Sequence, residues 1–219
     1  MIKIKMSDKH TAVAEQFDDP EQEYHAATLG MWVFLATEVL FFGVLFASYA
    51  VSRFNYPEAF AEASRHTDIV LGTISTGVLL TSGFTMALAV RSAKLGRDKA
   101  IIGFLVLTIL LAIAFLFIEG TEYYQAYGEQ LIPAFNFMYE GAHEKPVELF
   151  FFLYFLMTGM HAVHVTIGIL IMAAIAIMAG RRRFTSYYYT PVELTGLYWA
   201  FVDIVWIFLY PLFYLVART

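Results

Sequence analysis

Apolar residues in this chain fall into long blocks that alternate with polar connections. The blocks cover approximately residues 29–51, 69–90, 100–122, 148–179 and 192–216. A helix needs about 20 apolar residues to cross the hydrocarbon core of a bilayer, and each block is of that order or longer. The pattern therefore predicts an all-α membrane protein, with a polar arm at residues 1–24 and a bundle of five transmembrane helices over residues 25–219.

The second and fifth blocks differ from the others in the side chains they carry. The second is rich in Gly, Ser and Thr, and such small residues let helix backbones approach closely where lipid supplies no hydrophobic drive. We expect this helix to have neighbours on more than one side. The fifth block is crowded with aromatic side chains, including Trp199 and Trp206, which is typical of a helix packed inside a bundle.

Composition excludes several classes of protein. Hydrophobic residues make up 59% of the chain and charged residues only 15%, which rules out an ordinary soluble domain. The absence of cysteine excludes disulfides, thiolate metal sites and cysteine nucleophiles. The sequence offers neither a phosphate-binding glycine-rich turn after a strand nor a Ser/His/Asp arrangement. We expect no nucleotide site and no nucleic-acid partner.

The basic residues predict how the helices are oriented. Ten of the 14 Lys and Arg residues fall on one side of a five-span topology, in the arm, in the 91–99 loop and at 181–183. The other side carries only Arg53, Arg65, Lys145 and Arg218. The positive-inside rule therefore places the N-terminus in the cytoplasm and the C-terminus outside.

Four ionisable residues fall near the middle of predicted spans. They are Glu38, His161, His164 and Asp203. Such groups mark either function or paired structural contacts. For Glu38, a proton relay or a polar contact to a lipid headgroup or neighbouring subunit stands beside a neutral carboxyl bonded to a helix Ser, Thr or His. For Asp203, a contact between packed helices is the favoured interpretation.

The two histidines are spaced three residues apart, which places them on one helical face. A metal or haem pair is one interpretation, and hydrogen bonds to a carboxylate or carbonyl of another helix are the other. The second is favoured, because the remaining histidines lie in the arm and loops. Glu119 and Glu122 fall at the end of the third block, where we expect them to be solvated or to cap nearby donors.

Several ordered motifs resemble subunit III of the haem–copper respiratory oxidases. The similar stretches are residues 29–42, 76–83, 122–124, 158–165 and 198–210. The usual subunit has seven helices, and this chain resembles the five-helix subunits of quinol oxidases and some bacterial oxidases, which lack the first two. It also departs at Ala200, where the family usually has histidine.

The resemblance implies a non-catalytic subunit III that packs against the catalytic subunit I. It would support proton uptake and stable turnover in aerobic electron transport, in a multi-pass protein of the bacterial inner membrane. No catalytic centre, metal or cofactor is expected in this chain. Haem and copper would lie in subunit I, which carries out oxygen reduction coupled to proton translocation.

The resemblance also assigns roles to the polar residues inside the membrane. Glu38 would be the buried carboxylate that faces a cleft holding phospholipid. His161, His164, Glu122 and Asp203 would be polar contacts that hold the five helices together. The resemblance leaves both cytochrome c and quinol open as electron donor.

Two alternative functions stand beside this one. The first is the related subunit associated with some nitric-oxide reductases. The second is a free-standing proton channel or carrier, suggested by Glu38 and the histidines. The sequence argues against a carrier, because it contains no inverted repeat and no pair of helices broken by Pro or Gly.

Overall fold

Five of the helices have the length and apolar composition needed to cross a membrane. The computed structural model describes residues 20–139, 141, 143–181, 184 and 188–216. The helices are α1 (Pro20–Asn55), α2 (Pro57–Ala63), α3 (Ile69–Lys94), α4 (Asp98–Gly128), α5 (Glu144–Gly180) and α6 (Thr190–Tyr214), with a 3-10 turn at Ser64–His66. All but α2 are candidate spans, so the predicted five-helix transmembrane bundle is confirmed.

Three of the spans continue well beyond the apolar blocks that predicted them. α1 begins at Pro20, α4 ends at Gly128 and α5 begins at Glu144. Glutamates in the first turns of α1 and α5 lie at the positive end of the helix dipole, which favours helix outside the apolar region. Residues 1–19 of the predicted polar arm lie outside the described part of the chain.

α6 lies at the centre of the bundle and packs against α1, α3 and α5. Its side chains Trp199 and Trp206 are fully buried, as expected for a packing helix. α3 packs against both α4 and α6, which confirms the interpretation of the small-residue block. By contrast, only 11% of the most apolar stretch of α1 is buried, against 56% for α6. Most of α1 is therefore open to lipid or to a partner chain.

Two glycines make room for the aromatic residues of α6. A Cβ on Gly168 of α5 would lie 2.6 Å from the ring of Trp199, and one on Gly72 of α3 would lie 2.6 Å from the ring of Tyr214. Because these separations are far below van der Waals contact, no other residue fits without moving an indole or phenol ring. Small residues thus let α6 pack closely against both neighbours.

At one end of the bundle, the connection between α4 and α5 packs onto α2. The Tyr139 hydroxyl donates a hydrogen bond to the Glu62 carboxylate. This bond is the main cause that raises the pKa of Tyr139 to about 12, so the phenol remains a donor at neutral pH. Nearby, the Thr67 hydroxyl lies 3.1 Å from the carbonyl oxygen of Phe213. These contacts join α2 and the C-terminal end of α6 to the same end of the molecule.

At the opposite end, one carboxylate joins three helices. Lys94 Nζ of α3 lies 2.7 Å from Glu193 Oε1 of α6. The hydroxyl of Tyr24 in α1 donates to Glu193 Oε2 over 3.3 Å. The bundle is therefore tied by polar contacts at both ends and by aromatic packing between them.

Candidate functional site

A carboxyl–imidazole pair joins α1 to α5 within the apolar part of the bundle. Glu38 Oε2 lies 3.0 Å from His164 Nε2. The side chains are 19% and 10% exposed, respectively, so both are largely shielded. The other ring nitrogen, Nδ1, lies 2.8 Å from the carbonyl oxygen of Met160, one turn earlier in α5. The imidazole is thus held on both sides.

The contacts of His164 determine how many protons the pair holds. A carbonyl oxygen can only accept, so Nδ1 must carry a hydrogen and donate it to Met160. In a neutral imidazole, Nε2 then has no hydrogen and needs a donor, which a protonated Glu38 supplies. In the ionic alternative, the same proton sits on Nε2 and Glu38 is a carboxylate. Either way, one proton lies between Glu38 and His164, and the pair has no net charge.

The pair lies at the wall of a groove between α1, α5 and α6. The groove has a volume of about 540 Å³, and its other lining residues are mostly apolar, such as Phe34 and Ile171. Tyr198 of α6 also lines it and donates from its hydroxyl to the His164 carbonyl oxygen over 2.9 Å. An apolar molecule in this groove would therefore lie directly against the carboxyl–imidazole pair.

His161 lies apart from this pair, although it is only one turn away in α5. Its ring packs against Trp206, with centroids 5.2 Å apart, and meets the edge of Phe115 at 5.5 Å. Neither ring nitrogen has a hydrogen-bond partner among the described residues. The two imidazoles therefore do not converge on one site. Within the described part of the chain, no group of three or more His, Asp or Glu side chains has a metal-binding arrangement.

The expectation that Glu119 and Glu122 are solvated is wrong. Both are buried, at 3% and 6% exposure, because α4 continues to Gly128 and carries them into the bundle. Glu122 Oε2 accepts hydrogen bonds from the Tyr214 hydroxyl over 2.5 Å and from the Tyr154 hydroxyl over 3.2 Å. Neither oxygen of Glu119 has a partner among the described residues.

The tyrosines around Glu122 form a second polar site. The resemblance implied a polar contact at Glu122, but the sequence did not indicate these partners. Tyr123 lies 2.6 Å from the Thr158 hydroxyl, whose own hydrogen is donated to the Tyr154 carbonyl oxygen. Tyr123 is therefore the donor to Thr158. The site links α4, α5 and the end of α6. No local pattern predicts it, because Tyr214 reaches Glu122 from 92 residues away.

A small cavity opens beside the Glu122 site. It has a volume of about 30 Å³ and is lined by Glu122 and Tyr154 together with Asp68 and His66. This is about the size of one water molecule with polar partners on several sides. Glu122 Oε1 has no hydrogen-bond partner among the described residues. The cavity lies at the end of the bundle that α2 covers.

We expect the substitution Glu122→Leu to destabilise the protein by about 1–2 kcal/mol, because it removes the acceptor of two buried hydroxyls. The hydroxyl oxygens of Tyr154 and Tyr214 lie 3.3 Å apart, so one hydroxyl can still donate to the other. The second hydroxyl is then left without an acceptor. The midpoint of unfolding by SDS in mixed micelles measures the change. Glu122→Gln, which keeps a carbonyl acceptor, is the control and should cost less. Equal midpoints for Glu122→Leu and the wild type would contradict the assigned role.

Asp203 of α6 lies against the neighbouring helix α3, and its Oδ1 atom makes no hydrogen bond among the described residues. The residue is 8% exposed. Its other oxygen lies against Gly83 of α3, which has no side chain to bond it. Of the five polar candidates, Glu38 and His164 form one site and Glu122 belongs to a second. Among the described residues, the ring nitrogens of His161 and Oδ1 of Asp203 have no hydrogen-bond partner.

Comparison with known proteins places this arrangement among respiratory oxidase subunits. Residues 22–218 match the family profile described as cytochrome c oxidase subunit III. The chain is 31% identical over 200 residues to quinol oxidase subunit 3 of Bacillus subtilis. This alignment covers 89% of this chain and 92% of that protein. It is 34% identical over 191 residues to cytochrome c oxidase subunit 3 of Oncorhynchus mykiss. That alignment covers 84% of this chain and 67% of the relative. A probable quinol oxidase subunit 3 of Staphylococcus saprophyticus is 26% identical over 206 residues. That alignment covers 94% of this chain and 96% of the relative.

Proposed function

This chain belongs to the cytochrome c oxidase subunit III family, and we propose that it is the non-catalytic subunit III of a haem–copper terminal oxidase. In this proposal it packs against the catalytic subunit I, which holds the haem and copper. It supports proton uptake and stable turnover of that subunit in aerobic electron transport. The related proteins include subunits of both quinol and cytochrome c oxidases, so the proposal covers either electron donor.

The Glu38–His164 pair is the observation that best supports a role in proton handling. The pair holds one proton between two groups of different chemistry, and it stays neutral overall whichever group holds the proton. A neutral pair can lie in an apolar region without the cost of an isolated charge. Because α1 is the span least covered by its own chain, a proton on Glu38 lies close to the surface that faces lipid or a partner.

The apolar groove beside the pair suits a bound phospholipid. Its volume of about 540 Å³ accommodates part of an acyl chain, and its apolar walls match hydrocarbon. A lipid in this position would cover Glu38 and exclude other solvent from the pair.

The proposal is tested on the complex purified from its native membrane in mild detergent. We expect this chain to copurify with a larger haem-bearing subunit. Removing it should leave oxygen reduction but reduce the number of turnovers before inactivation and slow proton uptake. Recovery of the chain alone, without a haem spectrum, would overturn the proposal. A complex whose turnover and proton uptake do not change on removal would overturn the supporting role.

We further propose that the protein lies in the bacterial inner membrane with its N-terminus in the cytoplasm, as the distribution of Lys and Arg favours. The chain has no cysteine, so a single introduced cysteine reports its own position. Phe135 in the α4–α5 connection and Leu95 in the α3–α4 connection are 87% and 55% exposed. We expect Phe135→Cys to react with a membrane-impermeant maleimide in intact spheroplasts, and Leu95→Cys only after permeabilisation. The reverse pattern would invert the topology.

A further inference from the structure

A groove of about 400 Å³ runs along the outside of the bundle between α3 and α6. Small residues line much of it, with Gly83 and Ala87 on α3, and Gly196 and Ala200 on α6. Their spacings of four residues place each pair on one face of its helix. Because these positions lack bulky side chains, the backbone of another helix can approach closely here. Asp203 lies one turn beyond Ala200 and lines the same groove.

The carboxyl of Asp203 is largely buried in this groove. Oδ1 has no partner among the described residues, although 92% of the residue is shielded from solvent. Oδ2 occupies the space above Gly83, only 2.0 Å from where a Cβ on that glycine would lie. A buried carboxyl without a donor loses the hydrogen bonds it had in water, which is costly.

The donors nearest in sequence are already engaged elsewhere. Trp199 donates its indole hydrogen to the Ser82 hydroxyl over 3.1 Å, and Ser82 donates in turn to the Leu79 carbonyl oxygen over 2.6 Å. Trp206 donates to the Thr76 hydroxyl over 2.9 Å. On α3, the group directly against the carboxyl is Gly83, which has no side-chain donor. Within the described residues, therefore, Oδ1 of Asp203 has no hydrogen-bond donor.

The depth of Asp203 excludes a lipid headgroup as the missing donor. The residue lies 13 positions after the start of α6 and 11 before its end, about 20 Å and 16 Å along the helix axis. It is thus near the middle of a span, whereas headgroups lie outside a hydrocarbon core of about 30 Å. An acyl chain could reach the groove but carries no hydrogen-bond donor.

We propose that the α3–α6 groove is the docking site for a transmembrane helix of another chain, which places a hydrogen-bond donor against Asp203. The small residues supply close backbone approach, and the carboxyl supplies the polar contact that selects the partner. Ala200 leaves the space beside Asp203 open for that donor. This inference rests on the proposed function, which makes the chain one subunit of a larger membrane complex.

Asp203→Leu tests the inference, because it should change two measurements in opposite directions. Removing an unsatisfied carboxyl should leave the isolated chain as resistant to SDS unfolding as the wild type, or more so. Retention of the chain in the purified complex should fall by about threefold to tenfold, as one interhelical hydrogen bond is lost. If Asp203 instead stabilised this chain by itself, the substitution would lower both the resistance to SDS unfolding and the retention in the complex. If leucine is too large beside Gly83, Asp203→Ala removes the carboxyl without adding bulk and is measured in the same way, with the same criterion.

Filling the groove provides an independent test with a matched control. Ala87→Phe places a bulky ring in the groove and should release the chain from its complex. Ala114→Phe makes the same substitution on an exposed face of α4 and should not. Equal retention of these two variants would overturn the docking site while leaving the proposed function in place. Failure of the wild-type chain to copurify with a haem-bearing subunit would instead overturn the proposed function.

Crosslinking identifies the occupant of the groove. Ala200→Cys, labelled with a thiol-reactive photocrosslinker, is irradiated in the native membrane. The inference expects adducts with a transmembrane segment of a haem-bearing partner that contains a hydrogen-bond donor. Adducts only with lipid, or with a second copy of this chain, would overturn it. A second copy docked groove to groove is disfavoured, because the side chains that line the groove are apolar apart from the carboxyls of Asp203 and Glu193.

Discussion

Trp206→Ala is expected to destabilise the protein by about 3–5 kcal/mol, the usual cost of emptying a buried aromatic site. The indole is 1% exposed and meets Phe115 edge to face, with centroids 4.7 Å apart. It also covers the ring of His161 and donates a hydrogen bond to Thr76. The substitution therefore opens a cavity where α3, α4, α5 and α6 meet, and it exposes the unpartnered imidazole.

SDS unfolding of the purified protein measures this change, and Trp32→Ala is the matched control. Trp32 lies on α1 and is 57% exposed, so the same substitution removes little packing there. We expect it to change the free energy of unfolding by less than about 0.5 kcal/mol. Thr76→Val separates the hydrogen bond from the packing contribution and should cost about 1 kcal/mol. If the two tryptophan variants unfolded alike, α6 would not be the centre of the bundle.

The contrast between these tryptophans shows what hydropathy predicts in a membrane bundle. The length of each apolar block predicted the spans, because crossing hydrocarbon requires about 20 apolar residues whatever their neighbours are. The rotation of each helix about its axis was not predictable in the same way. Lipid and protein interior are both apolar, so Trp32 and Trp206 look alike in sequence. The small residues of α3 and the crowded aromatic residues of α6 indicated which helices pack against neighbours, but not which faces do so.

The polar sites follow the same limit. Sequence placed Glu38 and His164 at similar depth, but depth alone does not bring two residues on different helices within 3.0 Å. The burial of Glu122 depends on tyrosines of α5 and α6, and no local spacing encodes that contact. Asp203 was expected to pair within the bundle, yet the groove faces outward. The sequence of one chain cannot predict a hydrogen-bond partner that belongs to another chain.

Glu38→Leu and His164→Leu are each expected to destabilise the contact between α1 and α5 by about 1–3 kcal/mol. In the first variant, His164 Nε2 loses its hydrogen-bond partner, while Nδ1 stays bonded to Met160. In the second, the Glu38 carboxyl loses the imidazole and faces an apolar groove. Glu38→Gln should cost less than about 1 kcal/mol, because its amide can donate to Nε2 as a protonated carboxyl does.

The double variant Glu38→Leu/His164→Leu distinguishes a paired contact from two independent ones. Replacing both members of a buried polar pair by apolar residues is often nearly neutral, whereas removing one leaves the other unsatisfied. We therefore expect the double variant to be more stable than either single variant, with a coupling free energy of about 1–3 kcal/mol in an SDS-unfolding cycle. Additive losses would mean that the 3.0 Å contact contributes nothing.

The protonated carboxyl itself is observed by its infrared C=O stretching band, which Glu38→Gln should remove. Absence of that band in the wild type would assign the shared proton to His164.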